Sequence, residues 1–294
     1  MAAAPPASRL PRWLVVASWP IGGIALTAFF VFLGFPYDLL AVRLTEQVEQ
    51  STDVRLRIGE LSPHVGFAGL GLEAREVLAA REGGRSIVLQ RLIVRPAWSF
   101  AWLRGMPAVH LDVTSEIGSG AGTLILGSAG GFAGSLEAVR LEYLPLEMLD
   151  SFDFQGILDA VVDLHASDGD EGDEPGGGGG LVGDVDFDLR EGSLSTEGLP
   201  VAVPFDRLHG QLHFGGERYL TVSGVRLDGP LIAGTVEGEI GHGASADRRP
   251  LKIDIAYQIQ DANLGSMLSG LGTRGKDGIS HLSVTGTLAR PVVR

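Results

Sequence analysis

The sequence of 294 residues contains no cysteine. The protein therefore cannot form a disulfide framework, a thiolate metal site or a thiol nucleophile. Lysine is nearly absent as well, since only Lys252 and Lys276 occur, and the formal net charge is −13. Proteins that bind nucleic acid depend on clustered lysine and arginine, which release counterions from the phosphates. We therefore expect no nucleic-acid partner.

Charge is missing from one long stretch, residues 13–35, which reads WLVVASWPIGGIALTAFFVFLGF. As a helix rising about 1.5 Å per residue, this stretch is long enough to cross a hydrocarbon core of about 30 Å. A cleaved signal peptide usually has an apolar region of only about 7–15 residues and a small-residue cleavage site, which this run lacks. The sequence therefore predicts a retained transmembrane anchor. Its large apolar residues are Trp13, Leu14, Val15, Ile21, Ile24, Leu26, Phe29, Phe30, Phe32 and Phe35.

The charges that flank the anchor predict its orientation. Arg9 and Arg12 precede it, whereas Asp38 and Arg43 follow it with mixed signs. Under the positive-inside rule, residues 1–12 form a cytoplasmic tail. The bulk of the chain then lies outside the cytoplasm.

Beyond the anchor, the spacing of apolar residues changes from a helical period to a strand period. Residues 36–50 predict an amphipathic helix, because Leu40, Leu44 and Val48 recur at every fourth position. From Val54 onward apolar residues recur at every second position, which is typical of half-buried strands. This alternation is clearest in segments 54–58, 109–113, 158–164, 185–189, 231–240 and 251–259.

Glycine-rich turns, and not long helices, separate these segments. The pattern predicts a mainly β protein with an extended antiparallel sheet, one apolar sheet face and short helices at 144–151 and 262–271. Around Gly224 the apolar positions switch parity, which predicts a β-bulge. The apolar face must be covered by a second sheet, by the sheet's own curl or by an apolar ligand, and the sequence leaves all three open.

The segment 167–180, SDGDEGDEPGGGGG, predicts a flexible acidic loop between two β-rich regions, 51–166 and 181–294. Its carboxylates are chemically suited to calcium, but an EF-hand loop needs glycine at its sixth position and glutamate at its twelfth. Counted from Asp168, the sixth position is Asp173 and the twelfth is a glycine. We therefore predict a disordered linker and no calcium site.

Two histidines, His209 and His213, have the spacing of zinc ligands on a helix. The neighbouring Gly210 and Gly215 favour a strand instead, and on a strand the two side chains would be about 13 Å apart. Zinc bonds are only about 2 Å long, so the two histidines cannot share one ion in that geometry. We predict no metal site here.

Three aspartates, Asp184, Asp186 and Asp188, alternate along one strand at intervals of roughly 6–7 Å. A carboxylate pair at that distance can serve acid–base chemistry, but nothing nearby in the sequence would separate the pKa values of the pair. The sequence contains no nucleophile elbow, phosphate loop, His-Glu-x-x-His helix or dinucleotide fingerprint. We therefore predict a solvated outer face, with no catalytic residue, no cofactor and no enzymatic activity.

The order of four segments resembles the type II secretion system protein N (GspN-type) family and the broader AsmA-like group of envelope proteins. Immediately after the anchor comes FPYDLLAVRLTEQVEQSTDVRLRIGELSP, followed later by VLQRLIVRPAWSFAWLRGMPAVHLDV. The other two segments are LEYLPLEMLDSFDFQGILDAVVDLH and the terminal VTGTLARPVVR. Together the segments extend over most of residues 30–294.

The resemblance implies a curved, groove-forming sheet in the periplasm, held by a single-pass anchor in the bacterial inner membrane. Two functions follow as hypotheses. The first is a non-enzymatic component of type II secretion that contacts other secretion-system envelope proteins. The second is an AsmA-like protein that binds or transfers phospholipid. In the second hypothesis the acyl chains lie against a core or lipid-facing set consisting of Ile232, Val236, Ile240, Ile253, Ile255 and Tyr257.

Overall fold

The computed structural model describes two N-terminal helices followed by a large β-sheet. The residues it describes are 12–51, 54–66, 69–81, 86–97, 105–127, 130–144, 152–166, 181–196, 202–215, 219–243, 248–260, 273–274 and 278–293. The predicted loop at 167–180, the predicted helix at 262–271 and all but the first residue of the predicted helix at 144–151 lie outside them.

Two helices precede the sheet, α1 (Arg12–Leu33) and α2 (Tyr37–Ser51). The chain leaves α1 through Gly34, whose N–H donates to the Phe30 carbonyl oxygen at 2.9 Å. Pro36 disfavours a helical conformation in Phe35, so α1 ends before the proline, and α2 begins directly after it. The helix predicted at 36–50 is therefore confirmed to within one residue at each end.

The large side chains of α1 that the structure describes are mostly exposed, including Trp19 at 79% and Ile24 at 71%. Within the described residues, no single helix has the length and hydropathy to span a bilayer. The segments Gly22–Leu33 and Tyr37–Arg43 have them only when counted together, and the chain bends by 66° between them.

The rest of the described chain is almost entirely β-strand. The strands are β1 (Val54–Gly66), β2 (Gly69–Arg81), β3 (Ser86–Pro96), β4 (Ala108–Ser115), β5 (Gly118–Ile125), β6 (Gly131–Arg140), β7 (Phe152–Ala166), β8 (Leu181–Thr196), β9 (Val203–Phe214), β10 (Leu220–Asp228), β11 (Ile232–Ile240), β12 (Pro250–Ile259), β13 (Thr273–Arg274), β14 (Ser280–Thr287) and β15 (Arg290–Val293). A short 3₁₀ turn, Leu141–Tyr143, follows β6.

All fifteen strands belong to one antiparallel sheet, in the order β1 to β12, then β14 and β13, with β15 also paired to β14. Consecutive strands are therefore neighbours almost throughout. Antiparallel neighbours can be joined by short turns, whereas parallel strands need long crossovers, so the glycine-rich turns and the topology agree. The prediction of a mainly β protein with one extended antiparallel sheet is confirmed.

Bulges adjust the register at several points along the sheet. The one predicted at Gly224 is present: the pairing of β10 with β11 shifts between Val222 and Val225, and Gly224 has a φ of +60°. The extra residue restores the apolar side chains to one side of the sheet after the shift. The β-bulge prediction is confirmed.

The register gives the sheet two chemically different sides. Residues that pair directly across strands share a side, and apolar residues pair with apolar ones in every pairing from β1 to β14. We call the side that carries Leu61, Leu111, Val185 and Ile253 the apolar face, and the side that carries Glu73, Asp112, Asp186 and Lys252 the polar face.

The best-buried cluster lies at the first strands, where α2 packs against β1. Tyr37 of α2 is 8% exposed and packs with Leu61, Ala74 and Val77 of the apolar face. On the opposite side of α2, Leu39 is 67% exposed. The amphipathic helix therefore covers the N-terminal end of the apolar face.

Candidate apolar binding face

The apolar face runs across the sheet without a polar interruption. One row of directly paired residues crosses thirteen strands and consists of Pro63, Leu72, Val94, Leu111, Gly122, Gly134, Val162, Val185, Leu212, Val222, Gly238, Ile253 and Val284. We call it the central apolar row. With neighbouring strands about 4.8 Å apart, this row is about 60 Å long.

A second row beside it is equally apolar over its first nine strands. It consists of Leu61, Ala74, Leu92, Val113, Gly120, Leu136, Ala160, Phe187 and Gly210. Further rows flank these two on both sides, and successive rows are about 7 Å apart. With four such rows, the apolar face is about 20 Å wide.

Most of this face is neither fully buried nor fully exposed. In the central apolar row only Gly122 is buried, and the other twelve positions are half-buried. The described elements contact mainly their neighbours in strand order, apart from α2 against β1 and the 3₁₀ turn against β7. Beyond the first strands, therefore, no described helix or second sheet covers the apolar face.

Glycines on the apolar face allow aromatic rings to lie against the sheet. A β-carbon at Gly122 would lie 2.7 Å from the Phe132 ring, and one at Gly134 would lie 2.9 Å from it. The ring of Phe205 lies in the same way over Gly192, and Phe205 is only 3% exposed. Glycine and ring together form a flat apolar surface where two large side chains would collide.

The six residues predicted for this face occupy one side of two adjacent strands. Ile232, Val236 and Ile240 of β11 pair with Ile259, Ile255 and Leu251 of β12, while Gly238 and Gly234 pair with Ile253 and Tyr257. All six predicted residues are half-buried. They form only the C-terminal part of a face that begins at β1.

The predicted lipid-facing set left out the central part of the apolar face: β5 was not recognised, and β8 was recognised only as an alternating segment at 185–189. In β5 the inward positions include Gly118, Gly120 and Gly122, which have no side chains to produce a hydrophobic alternation. A usable signal was present, because glycines at every second position can mark one sheet face. The ring of Phe132 on β6 lies over Gly122 and supplies apolar surface that β5 lacks.

On the polar face, charged residues are paired with one another. Glu73, only 6% exposed, accepts hydrogen bonds from Arg91 at 3.0 Å to each oxygen and from Arg75 Nε at 2.9 Å. His64 Nδ1 lies 3.1 Å from the same carboxylate. The hydrogen bonds from Arg91 lower the pKa of Glu73 to about 2, although burial opposes this. This cluster holds β1, β2 and β3 together.

The aspartates singled out in the sequence also lie on the polar face. Asp188 accepts hydrogen bonds from Arg207 at 2.8 and 2.9 Å, which lower the pKa of its carboxyl. Asp184 lies 2.6 Å from His213 Nδ1, and Asp186 is exposed. Two of the three aspartates are therefore paired across strands and the third is exposed, as expected for the solvated outer face that the sequence predicted.

His209 and His213 both lie on β9, as the strand interpretation predicted. They pair with different partner residues, Asp188 and Asp184, on the neighbouring strand. Among the residues that the structure describes, no group of three or more histidines, aspartates or glutamates is placed to hold a metal ion.

Two of the cavities in the described part of the chain are notable, and no residue of the central apolar row lines either of them. One of about 610 Å³ lies on the polar face and is lined by residues that include Asp159, Asp188 and His209. Two of the four carboxylates that line it are paired, Asp159 with Arg190 and Asp188 with Arg207. The other, of about 650 Å³, separates α2 from the edge of β1.

The residues predicted for the anchor divide into two groups in the structure. Phe32 packs against the cluster around Tyr37, and its carbonyl oxygen accepts a hydrogen bond from the Tyr37 hydroxyl. Ile24, Leu26, Phe30 and Phe35 are exposed, whereas the side chains of Trp13, Leu14, Val15 and Ile21 lie outside the described part.

Comparisons with family models, with curated proteins and with solved structures gave no match for this chain.

Proposed function

We propose that this protein is a membrane-anchored, non-enzymatic lipid-binding protein of the bacterial envelope, whose apolar face holds acyl chains. The observation that carries the proposal is the central apolar row, which crosses thirteen strands without a charge or a hydroxyl. Since the row extends from Pro63 on β1, the strand against which α2 packs, to Val284 on β14, it offers one continuous apolar track. We place the sheet in the periplasm and the anchor in the inner membrane.

The size of the face favours lipid. A face about 60 Å long and about 20 Å wide has an area of about 1,200 Å². Half of this area already equals the largest exposed apolar patch of a typical soluble monomer, which is about 300–600 Å². Patches of this size are binding surfaces, because leaving them in water is costly. The width also fits an acyl chain, since one leaflet of a hydrocarbon core is about 15 Å thick.

The chemistry of the face favours lipid over a polar ligand. The central apolar row offers no donor or acceptor side chain to orient a substrate, whereas small-molecule sites usually combine apolar walls with a few polar groups. Flexible acyl chains need no such groups and gain free energy from apolar contact alone. The anchor would hold the face beside a membrane that supplies them.

The alternative function is a component of a type II secretion system, in which a partner envelope protein covers the same face. The resemblance of the segments after the anchor supports this alternative. The two functions differ in what occupies the apolar face, so one experiment separates them.

The test is native mass spectrometry of the full chain extracted in mild detergent. We expect the wild type to carry phospholipid, and we expect the double variant Ile253→Gln/Val284→Gln to carry several-fold less. The matched control is Lys252→Gln, which changes the adjacent exposed residue on the polar face of the same strand and should leave lipid binding unchanged. Circular dichroism checks that each variant retains the β-sheet.

A labelling experiment locates the lipid. Because the chain has no cysteine, a single Val185→Cys or Asp186→Cys substitution carries one environment-sensitive fluorophore on either face of β8. Added phospholipid should shift the emission of the first label and not that of the second. If the purified wild type carries no lipid and added lipid does not shift the emission of the label at position 185, the proposal is overturned. Stoichiometric capture of an envelope protein at position 185 would instead favour the secretion component.

A further inference from the structure

A cation lies against an aromatic cluster at the C-terminal end of the apolar face. The guanidinium carbon of Arg249 is 3.4 Å from the centre of the Tyr219 ring. The Tyr219 ring meets the Phe214 ring edge-on at 6.3 Å and the His242 ring at 6.4 Å. Stacking on an aromatic face fixes the plane of a guanidinium and is a favourable cation–π contact. Arg249 is therefore held in one orientation.

This arginine has no carboxylate partner in the described part of the chain. None of the ion pairs there includes Arg249, and its Nε is enclosed without a hydrogen-bond partner. The side chain is half-buried. A half-buried cation with no counter-ion among the described residues is unusual in a chain of net charge −13, because burying an unpaired charge is costly. The other arginines discussed above, Arg75, Arg91, Arg190 and Arg207, all pair with acids.

The position of this cation relates it to the apolar face. Phe214 pairs with Leu220 and Gly183 on that face, so the aromatic cluster continues it. Arg249 comes two residues before Leu251, which is 9% exposed and pairs with Ile240 on the same face. The charge therefore lies at the margin of the apolar surface, at the ends of β9, β11 and β12.

An amphiphile on this face must place its head group at such a margin, since the rows themselves offer no polar side chain. We propose, resting on the function proposed above, that Arg249 stacked on Tyr219 binds the oxyanion of an anionic amphiphile, a phosphate or a carboxylate. Its acyl chains lie along the apolar face. Exposed Arg248 beside it adds a second positive charge. A guanidinium binds such oxyanions through paired N–H groups, which an ammonium cannot reproduce.

The experiment measures head-group preference with the full chain in detergent. Native mass spectrometry compares binding of phosphatidylglycerol with that of diacylglycerol, which carries the same chains without an anion, and with inorganic phosphate alone. We expect the wild type to prefer phosphatidylglycerol about tenfold or more, the effect of one charge-assisted hydrogen-bonded contact. The preference should vanish in Arg249→Gln and be partly retained in Arg249→Lys.

Two further variants keep the outcome clear if Arg249→Gln folds poorly. Tyr219→Leu retains the arginine but removes the ring that orients it, and it should also reduce the preference. Arg226→Gln removes an exposed arginine on the polar face of β10 and should leave the preference unchanged. A role of Arg249 in folding alone would change thermal stability without changing the ratio of the two lipids.

The outcomes separate this inference from the function on which it rests. Equal binding of both lipids by the wild type, or an undiminished preference in Arg249→Gln, overturns the anion site while lipid binding stands. If inorganic phosphate alone binds at Arg249 as tightly as phosphatidylglycerol, the lipid head-group site is also overturned, because the site would then bind a free anion. No binding of either lipid overturns both proposals.

Discussion

Gly183 of β8 lies where the apolar face leaves no room for a side chain. Its φ is +139°, and a β-carbon there would overlap the carbonyl oxygen of Asp163 on β7. Gly224, at the β10 bulge, also has a positive φ, +60°, but a β-carbon there would meet nothing within 4 Å. Substituting the two glycines therefore distinguishes the cost of a positive φ, which both positions share, from the cost of a steric clash, which only Gly183 has.

We predict that Gly183→Ala lowers the free energy of unfolding by about 3 kcal/mol or more, because backbone strain and overpacking add. Gly224→Ala should cost only about 1 kcal/mol, since alanine tolerates the left-handed region at that expense. Urea denaturation followed by circular dichroism measures both. Equal losses for the two variants would mean that the close approach to Asp163 does not limit the sheet.

Glu73 is the buried polar residue on which three strands depend. Replacing it with glutamine leaves the positive charge of Arg91 opposite a neutral amide inside the cluster. We predict that Glu73→Gln lowers the free energy of unfolding by about 3 kcal/mol. Glu60→Gln, at an exposed position of the same polar face, should change it by less than about 0.5 kcal/mol. Urea denaturation at neutral pH compares the two variants.

The same carboxylate gives the fold a pH dependence of known sign. Its pKa is about 2 in the folded protein, against an ordinary value of 4.5. A depressed pKa stabilises the fold above the ordinary value, and this stabilisation is lost as the pH falls from about 4.5 to about 2. Glu73→Gln should lack this component, so the gap between wild type and variant should narrow over that interval. A gap that stays constant from pH 6 to pH 2 would contradict the assignment.

At the scale of elements, α2 is joined to the sheet through one side of the helix. Tyr37 is buried against Leu61, Ala74 and Val77, and its hydroxyl also contacts the end of α1. We predict that Tyr37→Ala costs about 3–4 kcal/mol and loosens α2 from β1. Hydrogen exchange should then accelerate in α2 and β1 while β7 and β8 stay protected.

The matched control lies on the same helix. Leu39 is 67% exposed, so Leu39→Ala should leave both stability and exchange in β1 nearly unchanged. If Leu39→Ala accelerated exchange as much as Tyr37→Ala, helix propensity and not packing would hold α2 in place.

The elements that the sequence predicted well are those with strong periodicity. α2 and β12 carry their apolar residues at regular helical or strand spacing, and both begin within one or two residues of the predicted position. β5 could not be recognised, because three of its four residues on the apolar face are glycines and leave too weak a hydrophobic signal. β2 contains Glu76 at a φ of +52°, which is left out of the pairing with β1, and this interrupts the alternation that reveals a strand.

The candidate site was only partly predictable for the same physical reason. Ile253 and Ile255 show their common face in the local sequence, since alternation within one strand determines it. That Gly122, Gly134 and Val162 belong to the same row depends on register between strands, which no single strand encodes. Arg249 was not recognised as a site residue, because its aromatic partner Tyr219 belongs to a different hairpin.

At the scale of the molecule, each strand is stabilised mainly by its neighbours in sequence. Such a sheet resembles a repeat protein in its energetics, because stability is a sum of neighbour interactions and can be lost unit by unit. The apolar face then stays continuous only while adjacent strands keep their register. A bound amphiphile would contact several strands at once and couple them.

The final prediction concerns the order in which this sheet opens. β7 and β8 contain 15 and 16 residues and pair along nearly their whole length, whereas β13 and β15 contain only 2 and 4. Because a strand with fewer ladder hydrogen bonds opens at lower cost, we expect amides of β7 and β8 to exchange at least about tenfold more slowly than those of β13 and β15. Hydrogen–deuterium exchange of the full chain in detergent measures this directly. Uniform protection from β1 to β15 would contradict this and show that the sheet opens as one cooperative unit. Bound lipid contacts several strands at once, so adding lipid should make the exchange rates of the strands more alike.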